Sequence, residues 1–310
     1  MINSMNSQTQ NAGFSRLECE AARQIMDAAG AVDAGHFSSG PLLFTALIDR
    51  ILQLHEDLLH ARRKLADYGD TLVAIQRSIL PQRLPSVPGL DLAVHFAAAE
   101  GAGGDFYDVH PIGPDCWAVV IADVAGHGLA AAAILALVHA LGSAVQGHEV
   151  GRSPGTALAL INEQLATRYL ANTGRFVTVF AGLYAAPTQT LTYAAAGHPP
   201  PRLVRGSEVR RLSDVSGLPL GVGRESTYPE QVVQLLPGDR LVLFTDGVTE
   251  STNDAHEFFG DERLDEAVRH PTAAAAELRD HVVTAVRTFR GSQSADDDET
   301  FLVAAVKPIQ

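Results

Sequence analysis

Acidic residues stand beside several strand-like apolar runs that are widely separated along the chain. Asp105 opens one such run and Asp123 closes the next, with a short turn between them. A regular turn centred on Pro114 would pair Ile112 with Cys116 and Asp105 with Asp123. Directly opposed residues of an antiparallel pair point to the same face, about 5 Å apart, where two like charges destabilise the hairpin. A cation held between Asp105 and Asp123 would turn this repulsion into a binding site.

Two further acidic positions follow the same pattern. The apolar run RLVLFTDG ends at Asp246 and Gly247, and Asp297 and Asp298 directly precede the run ETFLVAAV. If these two runs form antiparallel strands, the end of one lies beside the start of the other. The carboxylates of Asp105, Asp123, Asp246 and Asp297 would then gather at one rim of the fold. Such hard oxygen ligands suit Mg²⁺ or Mn²⁺ better than zinc, which prefers nitrogen and sulfur.

Each of these signals has an ordinary explanation when it is taken alone. Asp246-Gly247 is a common turn dipeptide, residues 296–299 read as a solvated acidic run, and Gly103-Gly104 reads as a flexible loop. The predicted hairpin register, which places Asp105 against Asp123, favours the metal site over these separate explanations.

Short apolar runs split by turns predict the strands that must position these carboxylates. The predicted strands are 91–97, 105–112, 116–123, 176–185, 190–197, 229–236, 239–245 and 299–307, and the predicted helices are 128–146, 155–171 and 273–289. Strands and helices come in blocks rather than in strict alternation. This order favours an antiparallel α+β domain over a parallel doubly wound one.

A long helix is predicted ahead of this domain. Apolar residues alternate at spacings of four and three from Leu47 to Ile79, which is the period of a coiled-coil seam. Two alternatives remain open for residues 41–80: a parallel dimer, or an amphipathic helix that packs on its own domain. Pro81, Pro85 and Pro88 end the helix and mark a boundary. Three segments are therefore predicted: residues 1–40, weakly ordered with a possible short helix, the helical linker at 41–80, and a domain at 85–310.

Composition narrows the class of protein. The formal net charge of −13 argues against nucleic-acid binding, which needs a basic surface. The two cysteines are far apart and outside metal-type spacing, which favours free thiols in a reducing compartment. The polar start of the chain does not read as a signal peptide, and the most apolar stretch is too short for a membrane span. We therefore expect a cytoplasmic protein that binds neither nucleic acid nor membrane.

Seven motifs occur in an order that resembles the bacterial SpoIIE/RsbU-type phosphatases of the metal-dependent PPM, or protein phosphatase 2C-like, superfamily. The motifs are GGDFYD (103–108), IADVAGHG (121–128), AAGHPPP (195–201), LPLGVG (218–223), LLPGDRLVLFTDGVTES (235–251), FFGDERL (258–264) and DDET (297–300). The resemblance covers roughly residues 75–308, and SILPQRLPSVPGLDL (78–92) is similar to the lead-in of that family.

The resemblance implies a four-layer α-β-β-α sandwich of two antiparallel sheets with two divalent cations, Mn²⁺ or Mg²⁺, at one rim. The residues it implies as catalytic metal ligands are Asp105, Asp123, the backbone carbonyl of Val124, Asp246 and Asp297. Asp123 would bridge the cations, and a hydroxide held between them would attack phosphorus directly. The resemblance leaves Asp108 and Asp298 open, either as residues supporting the ligands or as structural residues.

The sequence departs from the wider superfamily beside the Val124 position. Eukaryotic relatives carry a histidine proposed as the general acid where this chain has Ala125, so that role is not transferred to His127. A phosphate-binding arginine is not matched, and His198 is expected to serve the fold.

The implied substrate is a phosphoserine or phosphothreonine on a STAS-domain anti-anti-sigma protein in a partner-switching pathway. Control is predicted to act through the 41–80 helix, by self-dimerisation or by an activating partner.

Two other functions compete with this one. GGDFYD superficially resembles the GGDEF motif of diguanylate cyclases, but Phe106 stands where that motif has an acid, and FTDGVTE and DDET would be unexplained. The second alternative is a catalytically inactive phosphatase-like regulatory module. All four expected aspartates are present, which favours the enzyme.

Overall fold

The computed structural model describes residues 40–99, 103–126, 128–146, 149–171 and 173–308. The chain divides into two units, Met1–Lys64 and Leu65–Gln310. The described part of the first unit is helical. The possible helix at residues 16–29, and all but the last residue of the segment 1–40, lie outside the described residues.

Within the described residues, ten strands form two five-stranded sheets in which every neighbouring pair is antiparallel. The strands are β1 (Leu90–Ala97), β2 (Asp105–Gly113), β3 (Cys116–Val124), β4 (Val177–Ala185), β5 (Thr190–Ala196), β6 (Arg202–Arg205), β7 (Glu208–Arg211), β8 (Gln231–Gln234), β9 (Arg240–Phe244) and β10 (Glu299–Val306). Sheet A has the order β1-β10-β9-β6-β7, and sheet B has the order β2-β3-β4-β5-β8.

Six α-helices lie in the described ranges. They are α1 (Gly40–Ile79), α2 (Leu129–Val145), α3 (Pro154–Gln164), α4 (Asp246–Thr249), α5 (Gly260–Ala267) and α6 (Ala275–Arg290). Helices α2 and α3 contact sheet B, whereas α6 contacts β1 and β10 of sheet A. One apolar cluster joins residues of both sheets, and a second joins sheet A to α5 and α6. The predicted four-layer α-β-β-α sandwich of antiparallel sheets is therefore confirmed.

Local signals explain where two of these helices begin and end. Ser153 caps α3 by accepting a hydrogen bond from the Thr156 backbone N–H, and Pro154 occupies the first helical position, where its missing N–H costs nothing. Gly291, with a positive φ of 69°, ends α6. The helix predicted at 155–171 stops being α-helical at Gln164 and continues as a π turn through Leu165–Tyr169.

Helix α1 spans the segment for which the long helix was predicted, and its pairing with a second copy stays a prediction. In the described part of the chain, no helix is long and apolar enough to cross a membrane. Cys116 is a free thiol.

Candidate metal centre

The β2–β3 hairpin places Asp105 directly opposite Asp123, as the sequence predicted. The turn itself is different, because Gly113 rather than Ile112 pairs with Cys116, and the register shifts between Pro111 and Gly113. This irregularity absorbs the extra residue at the turn, so the register at the far end of the hairpin is unaffected. Asp105 is almost fully buried, with 1% of its surface exposed.

Two hydroxyl groups from sheet A hold the Asp105 carboxylate of sheet B. Thr245 Oγ1 donates to Asp105 Oδ2 over 2.7 Å, and Thr300 Oγ1 donates to the same oxygen over 2.6 Å. The two threonines are themselves linked, since the Thr300 backbone N–H donates to Thr245 Oγ1 over 3.1 Å. The contacts fix the rotamer of Asp105 and leave Oδ1 as the oxygen that could bind a cation.

Asp246 and Asp297 lie at the same edge of sheet A because β9 and β10 are antiparallel. Asp246 follows the end of β9 and begins α4, while Asp297 stands two residues before β10. The two segments approach closely, and a Cβ atom added to Gly247 would lie only 2.0 Å from the Asp298 carbonyl oxygen. Only glycine fits at position 247, which explains the Asp-Gly pair in the sequence.

Burial is the largest cause of raised pKa values at three of these carboxylates, and neighbouring acidic groups add to it. Burial, assisted by Asp246 and Asp297, raises the pKa of Asp123 to about 7. Burial and the neighbouring Asp123 raise the pKa of Asp105 well above its usual 3.8. Burial, Glu250 and Asp297 raise the pKa of Asp246. A bound cation would offset this repulsion and favour the ionised carboxylates.

Glycine at position 104 keeps a side chain out of the place where two oxygen atoms of predicted ligands converge. A Cβ atom on Gly104 would lie 2.8 Å from the Val124 carbonyl oxygen and 3.3 Å from Asp123 Oδ1. The Val124 backbone N–H donates to the Gly104 carbonyl oxygen over 3.1 Å, which keeps the two loops together. Carboxylate and carbonyl oxygens are the donor types that Mg²⁺ and Mn²⁺ prefer.

The donor set therefore fits divalent cations, although the side chains are not closed around one. Among the described residues, no group of three or more His, Cys, Asp or Glu side chains is arranged to hold a metal ion as it stands. The fit to a cation therefore rests on the type of donor atoms and on the shared edge of the sheets.

The structure separates the two aspartates whose roles the sequence left open. Asp298 Oδ2 accepts hydrogen bonds from the backbone N–H of Gly104 over 2.5 Å and of Asp105 over 3.4 Å. Its Oδ1 accepts another from the Ala99 N–H over 2.9 Å. Asp298 therefore supports the loop that carries Asp105.

Asp108 lies elsewhere. It is three residues after Asp105 on β2, so its side chain points to the opposite face of the sheet. There it pairs with His110, with 2.7 Å between Oδ2 and Nδ1, and it lines a pocket between sheet B and helices α2 and α3. Asp108 is therefore not part of the carboxylate cluster.

Sequence reasoning missed three residues of this centre. Thr245 and Thr300 stand inside the FTDG and DDET motifs, beside the predicted ligands. Glu250 adds a further negative charge that acts on both Asp123 and Asp246, and its backbone N–H donates to the Asp246 carbonyl oxygen over 2.7 Å. Their proximity to the motif aspartates in sequence is the signal that could have found them.

The structure describes one of the two histidines considered in the sequence motifs. His127 lies outside the described residues. His198 is buried, and its Nδ1 lies 2.9 Å from the hydroxyl of Thr178, the residue opposite Asp123 on β4. Burial lowers the pKa of His198 to about 3, so it stays neutral at physiological pH. A neutral histidine that links buried strands fits a role in the fold.

A curated relative and two solved structures are similar to this chain. The phosphoserine phosphatase RsbU of Bacillus subtilis is 28% identical over 204 residues, which cover 64% of this chain and 58% of RsbU. The SiaA-PP2C domain of Pseudomonas aeruginosa has a TM-score of 0.69 and 25% identity, covering 80% of this chain and 99% of that one. The catalytic domain of the serine threonine protein phosphatase PstP, solved with two manganese ions, has a TM-score of 0.52 and 19% identity, covering 71% and 99%.

Fold and site together define a domain of the SpoIIE/RsbU type within the PPM superfamily. The Stage II sporulation protein E (SpoIIE) family matches residues 113–307, more than half of the chain, and the chain belongs to that family. It spans between 36% and 58% of the lengths of three curated relatives that it matches.

Proposed function

We propose that this protein is a metal-dependent serine/threonine phosphatase. The observation that carries the proposal is the placement of Asp105 directly opposite Asp123, with Asp246 and Asp297 at the adjoining edge of sheet A. Burial, assisted by Asp246 and Asp297, raises the pKa of Asp123 to about 7. These four side chains and the Val124 carbonyl would hold two divalent cations, Mn²⁺ or Mg²⁺. The two manganese ions of PstP support this choice of metal and number.

When bound, such cations supply a hydroxide nucleophile at neutral pH and offset the negative charge of a phosphoryl group. The protein's own part is to position the ligands. Thr245 and Thr300 both donate hydrogen bonds to Asp105 Oδ2. These buried contacts fix the carboxylate, so its Oδ1 is held in position to bind a cation. Gly104 keeps a side chain away from the Val124 carbonyl and Asp123 Oδ1, leaving space for cation and phosphoryl oxygens.

The proposed substrate is a phosphoserine or phosphothreonine on a regulatory protein, and specifically on a STAS-domain anti-anti-sigma factor of a partner-switching pathway. The relative RsbU, named a phosphoserine phosphatase, supports the phosphoserine part of this proposal. Such a substrate acts in the cytoplasm, and we place this protein there too.

Phosphate release from purified phosphorylated STAS proteins, with and without millimolar Mn²⁺, tests the proposal. We expect hydrolysis that requires Mn²⁺ and is lost in Asp246→Asn. Asp108→Asn is the matched control, because that aspartate lies on the other face of β2 and should keep full turnover. A folded wild-type protein that binds Mn²⁺ but hydrolyses neither these substrates nor p-nitrophenyl phosphate would favour the inactive regulatory module instead.

We further propose that the helix at residues 41–80 controls this activity by pairing with a second copy or an activating partner. Ile51, Leu54 and Leu58, three residues of the predicted seam, are each 44–51% exposed on α1. Exposed apolar residues that share one helix face are typical of an interaction surface. The double substitution Leu54→Lys/Leu58→Lys in the full chain should shift a dimer to monomer in sedimentation velocity. Unchanged sedimentation and unchanged response to partners would contradict this proposal.

A further inference from the structure

Gln76, near the end of α1 and within the Leu65–Gln310 unit, is a buried polar residue with only 4% of its surface exposed. Its side-chain amide contacts both backbone polar groups of a single residue in the loop before β2. Oε1 accepts from the Gly103 N–H over 2.9 Å, and Nε2 donates to the Gly103 carbonyl oxygen over 3.0 Å. Nε2 also lies 3.5 Å from the Asp105 carbonyl oxygen. The amide thus replaces the partner strand that this piece of backbone lacks.

The loop is held from its other side by Asp298. The Asp298 carboxylate accepts from Gly104 N–H, and a Cβ atom on Gly103 would lie 1.8 Å from its Oδ2. Gly103 and Gly104 are therefore fixed between the side chain of Gln76 on α1 and that of Asp298, the residue directly before β10. Two glycines in sequence have high backbone freedom, so external contacts must define their conformation.

The position of this loop decides two features of the metal centre. Asp105 follows Gly104 directly, so a shift of the loop backbone moves the start of β2 and the carboxylate with it. Gly104 also borders the Val124 carbonyl and Asp123 Oδ1. Through Gly103, Gln76 thus contacts the segment that shapes both sets of oxygen ligands.

We infer that Gln76 is a positioning residue for the metal centre, through which the last turns of α1 set the affinity for divalent cations. This inference rests on the proposed metal-dependent function. Glutamine suits the role because a neutral amide supplies one donor and one acceptor at once. Glutamate would lose the donor and bring another negative charge towards an acidic centre, and methionine would keep the length but lose both hydrogen bonds.

Isothermal titration calorimetry of the metal-stripped full chain with MnCl₂ tests the inference. For Gln76→Met we expect the Mn²⁺ affinity to fall about 10- to 100-fold. Losses of this size are typical when a hydrogen-bonding group that holds the metal ligands in position is removed. Gln76→Glu should weaken binding as well. Gln53→Met is the matched control, since Gln53 is exposed on the same helix and its side chain bonds Asp57 one turn away. Its Mn²⁺ affinity should equal that of the wild type.

Thermal unfolding in EDTA separates positioning from mere stability. A lower Tm for Gln76→Met with wild-type Mn²⁺ affinity would overturn the inference and leave the proposed function intact. If the wild-type protein showed no saturable Mn²⁺ binding, both the inference about Gln76 and the proposed metal-dependent function would be wrong.

Should the Gln76 variants not fold, amide hydrogen exchange on the wild-type chain in EDTA provides the test. The Gly103 N–H should exchange slowly because it is held by Gln76, and unprotected exchange there would refute the clamp.

Discussion

Replacing Asp123 by asparagine should stabilise the metal-free protein at neutral pH while removing its affinity for metal. The pKa of Asp123 is about 7 in the folded state against an ordinary value of 3.8. A carboxyl with a raised folded-state pKa binds more protons when folded, so stability falls as pH rises between these two values. The two pKa values differ by about 3 units. At 1.36 kcal/mol per unit, the ionised Asp123 destabilises the folded protein by about 4 kcal/mol above pH 7. Asparagine keeps the shape and cannot ionise.

Urea unfolding in EDTA at pH 5 and pH 7.5 measures this effect. The wild type should lose free energy of unfolding between the two pH values. Asp123→Asn should lose less by about 2.5 kcal/mol, because pH 5 lies only about 2 units below the folded-state pKa of Asp123. Asp115→Asn in the turn of the same hairpin is the control, since Asp115 is exposed, and it should follow the wild type. Equal pH dependence of wild type and Asp123→Asn, or a destabilised Asp123→Asn at pH 7.5, would refute the crowded-carboxylate reasoning.

The remaining predictions concern the groups around Asp105. Thr300→Val removes one of the two hydroxyls on Asp105 Oδ2 and should weaken Mn²⁺ binding about 10-fold or more in calorimetry; unchanged affinity would mean that Thr245 suffices. Asp298→Ala removes the acceptor of the Gly104 N–H and should lower both Tm in EDTA and Mn²⁺ affinity, and a change in neither would contradict its supporting role. Asp108→Asn should leave Mn²⁺ affinity within about twofold, because groups on the far face of the sheet are screened from the centre; a larger loss would place Asp108 at the site.

The part of the site that was predictable from sequence was the part fixed by local geometry. The period-2 alternation and the short turn were enough to oppose Asp105 and Asp123, even though the bulge beside Ile112 was missed. The contacts of Thr245 and Thr300 with Asp105 join two different sheets. Their alignment depends on how the sheets stack, which no periodicity within a single strand encodes.

Three of the elements that sequence reasoning missed are joined to one another by ion pairs. Strands β6 (RLVR) and β7 (EVRR) and helix α5 (GDERLDEA) read as charged surface, and none was predicted. In the structure Arg202 is fully buried and pairs with Asp261 and Asp265 of α5, while Arg211 of β7 bonds the same two aspartates. Pairing of this kind lets a polar segment enter a sheet edge, and its partners are distant in sequence.

Gln76 escaped sequence reasoning for a related cause. The heptad of α1 draws attention to apolar positions, and a single glutamine on a long charged helix reads as solvent-facing. Its role is visible only from its hydrogen bonds with the Gly103 backbone, which is distant in sequence.

Anomalous scattering from crystals grown with manganese would test the central claim most directly. Two manganese peaks should lie about 4 Å apart at the shared edge of the sheets, contacting the carboxylates of Asp105, Asp123, Asp246 and Asp297. Manganese bound only elsewhere on the protein, or well-ordered carboxylates with no peak between them at saturating Mn²⁺, would contradict it.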